Sequence, residues 1–183
     1  MSAEKQLTLI LANANRLIRD AELLAQHRRY ASAFALAVLG LEEVGKALLK
    51  YWESDGLWKD APLPKKELSL HMRKQSAVAC MMIGGKIVRK FPKGPDWATL
   101  DTAALTDEFN ASDAGQAFAA IRNRDLDRRK QNALYQDDGL LTAVEDDFAA
   151  AHVESLFTIL GAVHQASTDI VAHKAGRELY RLT

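Results

Sequence analysis

Apolar residues recur along this chain at helical spacing. Leu7, Ile10, Ala14, Leu17, Ala21 and Leu24 fall every three or four positions, which predicts an amphipathic helix over about 4–26. A second helix is predicted over about 29–53. It is apolar almost all round from Ala31 to Leu39, so other helices should surround it, and it belongs at the centre. Pro62 and Pro64 then introduce a third helix, about 65–91, with Leu70, Ala77, Met81, Ile87, Val88 and Phe91 facing inward. Gly84-Gly85 in its middle weakens it by about 1 kcal/mol per glycine relative to alanine, which a close helix crossing would offset. Pro92, Gly94 and Pro95 stop it, and residues 92–112 read as a long loop. Ser112 or Asp113 is placed to cap a fourth helix that turns Ala114, Phe118 and Ile121 inward. Thr142 with Glu145 has the form of a capping box opening a long last helix, striped by Phe148, Val153, Leu156, Leu160, Val163 and Ile170. The expected fold is all-α, an up-and-down bundle of four to five antiparallel helices.

Composition narrows the picture without changing it. The 183 residues fit one domain, 1–183, and 48% hydrophobic with 26% charged residues excludes global disorder. The 24 basic and 24 acidic residues cancel, so nucleic acid could be held only by a local patch. Cys80 stands alone, which excludes an internal disulfide framework and fits a reducing cytoplasm. The start of the chain lacks the basic, apolar, small-residue order of a signal peptide. The longest apolar run, Tyr30 to Leu41, falls well short of the roughly 20 residues that span a bilayer. A cytoplasmic protein with no membrane partner is expected.

Charged groups on apolar stripes are the candidate chemistry. Extending the inward stripe of the second helix places Glu42 only about 40° from Val38. Lys46 follows one turn later on the same face, in the favourable Glu-before-Lys order, and Glu43 sits beside the pair. This is either an ordinary surface pair, worth about 0.3–0.5 kcal/mol, or a partly buried polar cluster. On the third helix Lys74 also falls on the apolar stripe, with His71 as its neighbour. Antiparallel packing would bring the end of helix two near the start of helix three, so the two groups could share a site. A third concentration runs from Arg122 through Arg124, Arg128 and Arg129 to Lys130, five basic residues interleaved with Asp125 and Asp127. It reads as a solvated helix face laced with local pairs or as a phosphate-contacting strip, with Tyr135 available to stack on a base. Gly84-Gly85-Lys86 lacks the spacing of a phosphate loop, and no Glu-x-x-His pair suggests a di-iron bundle. Neither a metal nor another cofactor is expected, and Cys80 reads as a core thiol.

Three of these segments in order resemble the AbiV-type abortive-infection proteins of the HEPN superfamily: Glu42-Glu43-Val44-Gly45-Lys46, then His71-Met72-Arg73-Lys74, then the run from Lys130 through Tyr135 to Asp137. The resemblance covers about residues 10–170, nearly the whole chain. It implies a HEPN-type helical bundle, a homodimer, bacterial defence against phage with a phage protein as trigger, and action on RNA or the translation machinery. Together with the clustering of charges, these segments make Glu42, Glu43, Lys46, His71, Lys74, Lys130, Tyr135 and Asp137 the candidate catalytic set. Arg122, Arg124, Arg128, Arg129 and Lys130 form the candidate nucleic-acid-binding set. Many HEPN ribonucleases carry an arginine followed four to six residues later by a histidine. None of the five histidines here has one, and Lys65 and Lys66 stand at that distance before His71. Metal-independent RNA cleavage would then use His71 or Glu43 as acid/base and Lys46, Lys74 and Lys130 beside the phosphate. The competing class is a non-catalytic helical module that acts by binding a partner protein.

Overall fold

A computed structural model describes residues 2–55, 70–96, 99–113, 115, 116, 119, 125–134 and 150–181. Seven helices are found among them: α1 (Ala3–Gln26), α2 (Tyr30–Ser54), α3 (His71–Lys90), α4 (Thr102–Asn110), α5 (Asp125–Leu134), α6 (Ala150–Ala166) and α7 (Ile170–Arg181). The fold is an all-α bundle, as the periodicity predicts. No helix among the described residues is long and apolar enough to cross a membrane.

The nearly all-apolar α2 lies at the centre, packed against α1, α3, α5 and α6. Ala33, Phe34, Ala37, Val38, Leu41, Leu49 and Trp52 join one buried core with Ala77, Val78 and Met81 of α3 and Val153, Leu156 and Leu160 of α6. α1 enters through the predicted stripe, with Ile10, Ala14, Leu17 and Ala21 buried. Its end is a Schellman turn, in which Arg29 N–H reaches Leu24 O at 2.9 Å and Arg28 N–H reaches Ala25 O at 2.9 Å. Arg28 holds the left-handed position of that turn, φ 58°, where glycine is usual.

Two glycines set how closely helices meet. A Cβ on Gly45 of α2 would lie 1.9 Å from Lys74 O of α3, so the two backbones touch at that crossing. A Cβ on Gly84 of α3 would lie 2.5 Å from Ala172 O of α7, the close crossing expected of the Gly84-Gly85 pair.

Three expectations about the elements are corrected. The predicted loop over 92–112 contains α4, because Asp101 Oδ1 caps it through Ala104 N–H at 2.9 Å and the helix buries its own Phe109 in the core. The predicted last helix is broken after Ala166. Asp169 Oδ1 accepts Val171 N–H at 2.7 Å and Ala172 N–H at 3.3 Å, starting α7 in a new phase. Ile170, read as inward, is therefore 63% exposed. Leu70, also read as inward, precedes the first turn of α3 and is exposed. Ser112 Oγ accepts Gly115 N–H at 3.3 Å, as a cap does. Pro62, Pro64, the inward residues Ala114, Phe118 and Ile121 of the expected fourth helix, and Thr142, Glu145 and Phe148 lie outside the described residues.

Candidate functional site

The apolar seam of α2 passes through Glu42, whose side chain is 3% exposed. A lone carboxylate there would be strongly disfavoured, and four side chains from two other helices answer it. His71 Nδ1 lies 2.5 Å from Oε2, and Lys74 Nζ lies 3.5 Å from the same oxygen. Gln75 Nε2 donates to Oε1 at 3.0 Å, and Lys130 Nζ donates to Oε1 at 2.9 Å. α3 supplies His71, Lys74 and Gln75 because positions three and four residues apart share a helix face. α5 supplies Lys130 from its own inward seam, Leu126, Lys130 and Ala133.

Lys130 is held between two carboxylates, with Asp127 Oδ1 at 2.8 Å from its ammonium on the other side. Its side chain is only 2% exposed. Glu42, His71 and Asp127 each bring one possible metal-ligand atom within 4.8 Å of the others. The ammonium of Lys130 stands 2.9 Å from Glu42 Oε1, 2.8 Å from Asp127 Oδ1 and 3.4 Å from His71 Nδ1. The place a cation would take is filled by the chain's own cation, and the cluster works as an ion-pair network.

Protonation follows from this geometry. Burial pushes the Glu42 carboxyl up, but hydrogen bonds from Lys130 and His71, with the charges of Lys130 and Lys74, outweigh it and hold the group below the usual carboxylate range. Burial likewise disfavours the Lys130 ammonium, and bonds to Asp127 and Glu42 more than restore it, leaving its pKa raised. An ionised carboxylate can only accept, so at 2.5 Å His71 Nδ1 carries a proton, and in the neutral form of the ring Nε2 is then the acceptor. The His71 side chain is 44% exposed, the most open member of a network whose Glu42 and Lys130 are enclosed.

Glu42, His71, Lys74 and Lys130 of the anticipated set thus come together. They meet at mid-length of α2, beside the Gly45–Lys74 crossing, rather than at its end. Glu43 and Lys46 do not join them; they pair with each other at 3.4 Å, both partly exposed, next to the network. The anticipated contact of Lys130 with a phosphate does not suit an enclosed ammonium, which is an internal counter-ion here. Arg128 is exposed and Arg129 partly so on the outer side of α5, while Arg122, Arg124, Tyr135 and Asp137 lie outside the described residues. Sequence reasoning missed Gln75, a fully buried glutamine one helical turn after His71, and gave Asp127 no role in the cluster. The i, i+4 spacing of His71 and Gln75 was the available signal.

A second feature is an apolar groove of about 530 Å³ between α1, α2 and α6. Leu7, Leu11 and Ile18 form one wall, Val44 and Leu48 its floor, and Phe157 and Leu160 the other wall. No curated protein and no solved structure matches the chain. The family profile of AbiV, within HEPN, matches residues 2–138, a span that holds α1 to α5 and every member of the Glu42 network. The chain belongs to the AbiV family of HEPN proteins.

Proposed function

We propose that this protein is an abortive-infection effector acting on RNA or on the translation machinery, with His71 as its proton-transfer group. Membership of the AbiV family supports the defence role. The observation that carries the site reading is the half-exposed His71 held at 2.5 Å by a buried, ionised Glu42. A carboxylate on Nδ1 fixes the tautomer and leaves Nε2 as the proton acceptor, the arrangement general acid–base chemistry requires. RNA brings its own nucleophile. On the reading that it is cut, Nε2 takes the proton of a 2′-hydroxyl as that oxygen attacks the adjacent phosphorus, and the 5′-oxygen departs with a proton supplied from water. Arg128 and Arg129, exposed and partly exposed on α5, adjoin Asp127 and Lys130 in sequence and would hold the phosphates. The proposal includes a homodimer and a phage protein as trigger, both drawn from the family, and a cytoplasmic site of action, drawn from the single cysteine Cys80.

A cell-free translation reaction given the purified protein should lose protein synthesis, and His71→Ala should restore it. Full inhibition by His71→Ala, with transfer and messenger RNA left intact by both proteins, would remove His71 from the mechanism.

The apolar groove favours a second reading, a module that acts by seating a partner protein. Salt separates the two. Association through several phosphates should weaken by roughly 10³-fold or more between 50 and 200 mM salt, whereas binding in an apolar groove should change little.

A further inference from the structure

We infer that Gln75 is a positioning residue, which orients the Glu42 carboxylate and through it sets the tautomer of His71. The inference rests on the reading of His71 as the proton-transfer group. A carboxylate turns about its last carbon–carbon bond with a broad, roughly two-fold preference, so its own torsion does not fix the plane of the group and with it the presentation of an oxygen to the imidazole. Here the donors decide. Gln75 Nε2 at 3.0 Å and Lys130 Nζ at 2.9 Å both take Oε1. Oε2 is left to His71 Nδ1 at 2.5 Å and Lys74 at 3.5 Å. Of the two donors on Oε1, Lys130 comes from α5 and also answers Asp127. Gln75 comes from the same helix as His71, one turn further on, so it holds the carboxylate in register with the ring whatever α5 does.

The way Gln75 is buried separates this role from a packing role. Its side chain is fully enclosed, and its Oε1 is buried with no hydrogen-bond partner among the described residues. An enclosed amide with one unanswered oxygen is a poor choice for stability, since an unbranched apolar side chain of similar length would fill the space without that penalty. What methionine could not do is donate to Glu42.

The test is Gln75→Met, with Gln75→Leu as a second apolar variant should the first not fold. Protein labelled with 15N in histidine reports the tautomer directly from the two ring-nitrogen shifts of His71, in the absence of RNA. Wild type should show the proton on Nδ1. The variant should move the tautomer ratio toward that of free histidine by about fivefold or more, the worth of one hydrogen bond, with an unchanged or raised melting temperature. Inhibition of translation should fall about tenfold. A His71 that keeps its proton on Nδ1 in a folded variant overturns the inference, whatever the activity does. A displaced tautomer with undiminished inhibition would uphold the positioning role and overturn the proton-transfer role of His71.

Discussion

Removing the Lys130 ammonium while keeping the length of its side chain, as in Lys130→Met, tests whether the buried network is a coupled unit. At 2.9 Å from Glu42 Oε1 and an effective dielectric of 20, the attraction is about 6 kcal/mol before desolvation. Much of that is offset by taking both ions out of water, so the attraction does not translate into stability directly. What the single variant exposes is the opposite imbalance: Glu42 keeps its burial and loses its nearest cation. Breaking a buried pair from one side is expected to reduce stability by about 3–5 kcal/mol, a large share of the total for a domain of this size. Asp127 is about a third exposed and can turn to water, so it adds little to the loss. Glu42→Gln should be milder, about 1–3 kcal/mol, because the amide oxygen still accepts and Lys130 keeps Asp127. The double variant no longer buries an uncompensated charge on this axis, and should be more stable than the summed single losses imply by more than about 1 kcal/mol. Urea unfolding of all four proteins measures the cycle. Losses that add to within about 0.5 kcal/mol would mean that the two groups act independently, and the network described here would be wrong.

Acid should destabilise the protein in two stages. The folded-state pKa of His173 is lowered by burial, despite its bond to Ser167 O, so the stability it contributes is present above its unfolded pKa of about 6.5 and fades as pH falls below that. Glu42, also lowered, contributes stability that is complete above its unfolded value near 4.5 and disappears as pH drops through the folded one. Urea midpoints that rise from pH 7 to pH 5 would contradict the first sign, and midpoints that rise as pH falls below about 4.5 would contradict the second. Cys80, whose thiol burial raises to about 12, should resist alkylation at pH 8 in the native protein and react promptly in denaturant, as mass spectrometry would show. Arg28→Gly should raise stability by about 0.5–1 kcal/mol, since a side chain with φ 58° carries a strain that glycine lacks; a loss in thermal unfolding would refute it.

How much was legible in advance follows from what local physics controls. Helical periodicity gave the all-α class, the central place of α2 and the buried face of α1, since each depends on spacing within a single element. The break after Ala166 was not legible from apolar spacing alone: the stripe can be continued through Ile170, and only the capping by Asp169 shows where the helix phase restarts. Glu42 and Lys74 could be suspected because a charge on an apolar stripe conflicts with its surroundings. Their partners could not be named, because the network joins residues 29, 33 and 88 positions apart in the chain.

Short-range periodicity therefore sufficed for α1, α2 and most of α3, for the seam along which α2 is buried and for the charges on that seam. Tertiary structure alone decided that Lys130 rather than Lys46 neutralises Glu42, that Gln75 shares the task, and that Glu43 and Lys46 stay outside. The physical reason is the backbone contact at Gly45 and Lys74, which sets α3 against the middle of α2 and so selects which long side chains can reach one carboxylate.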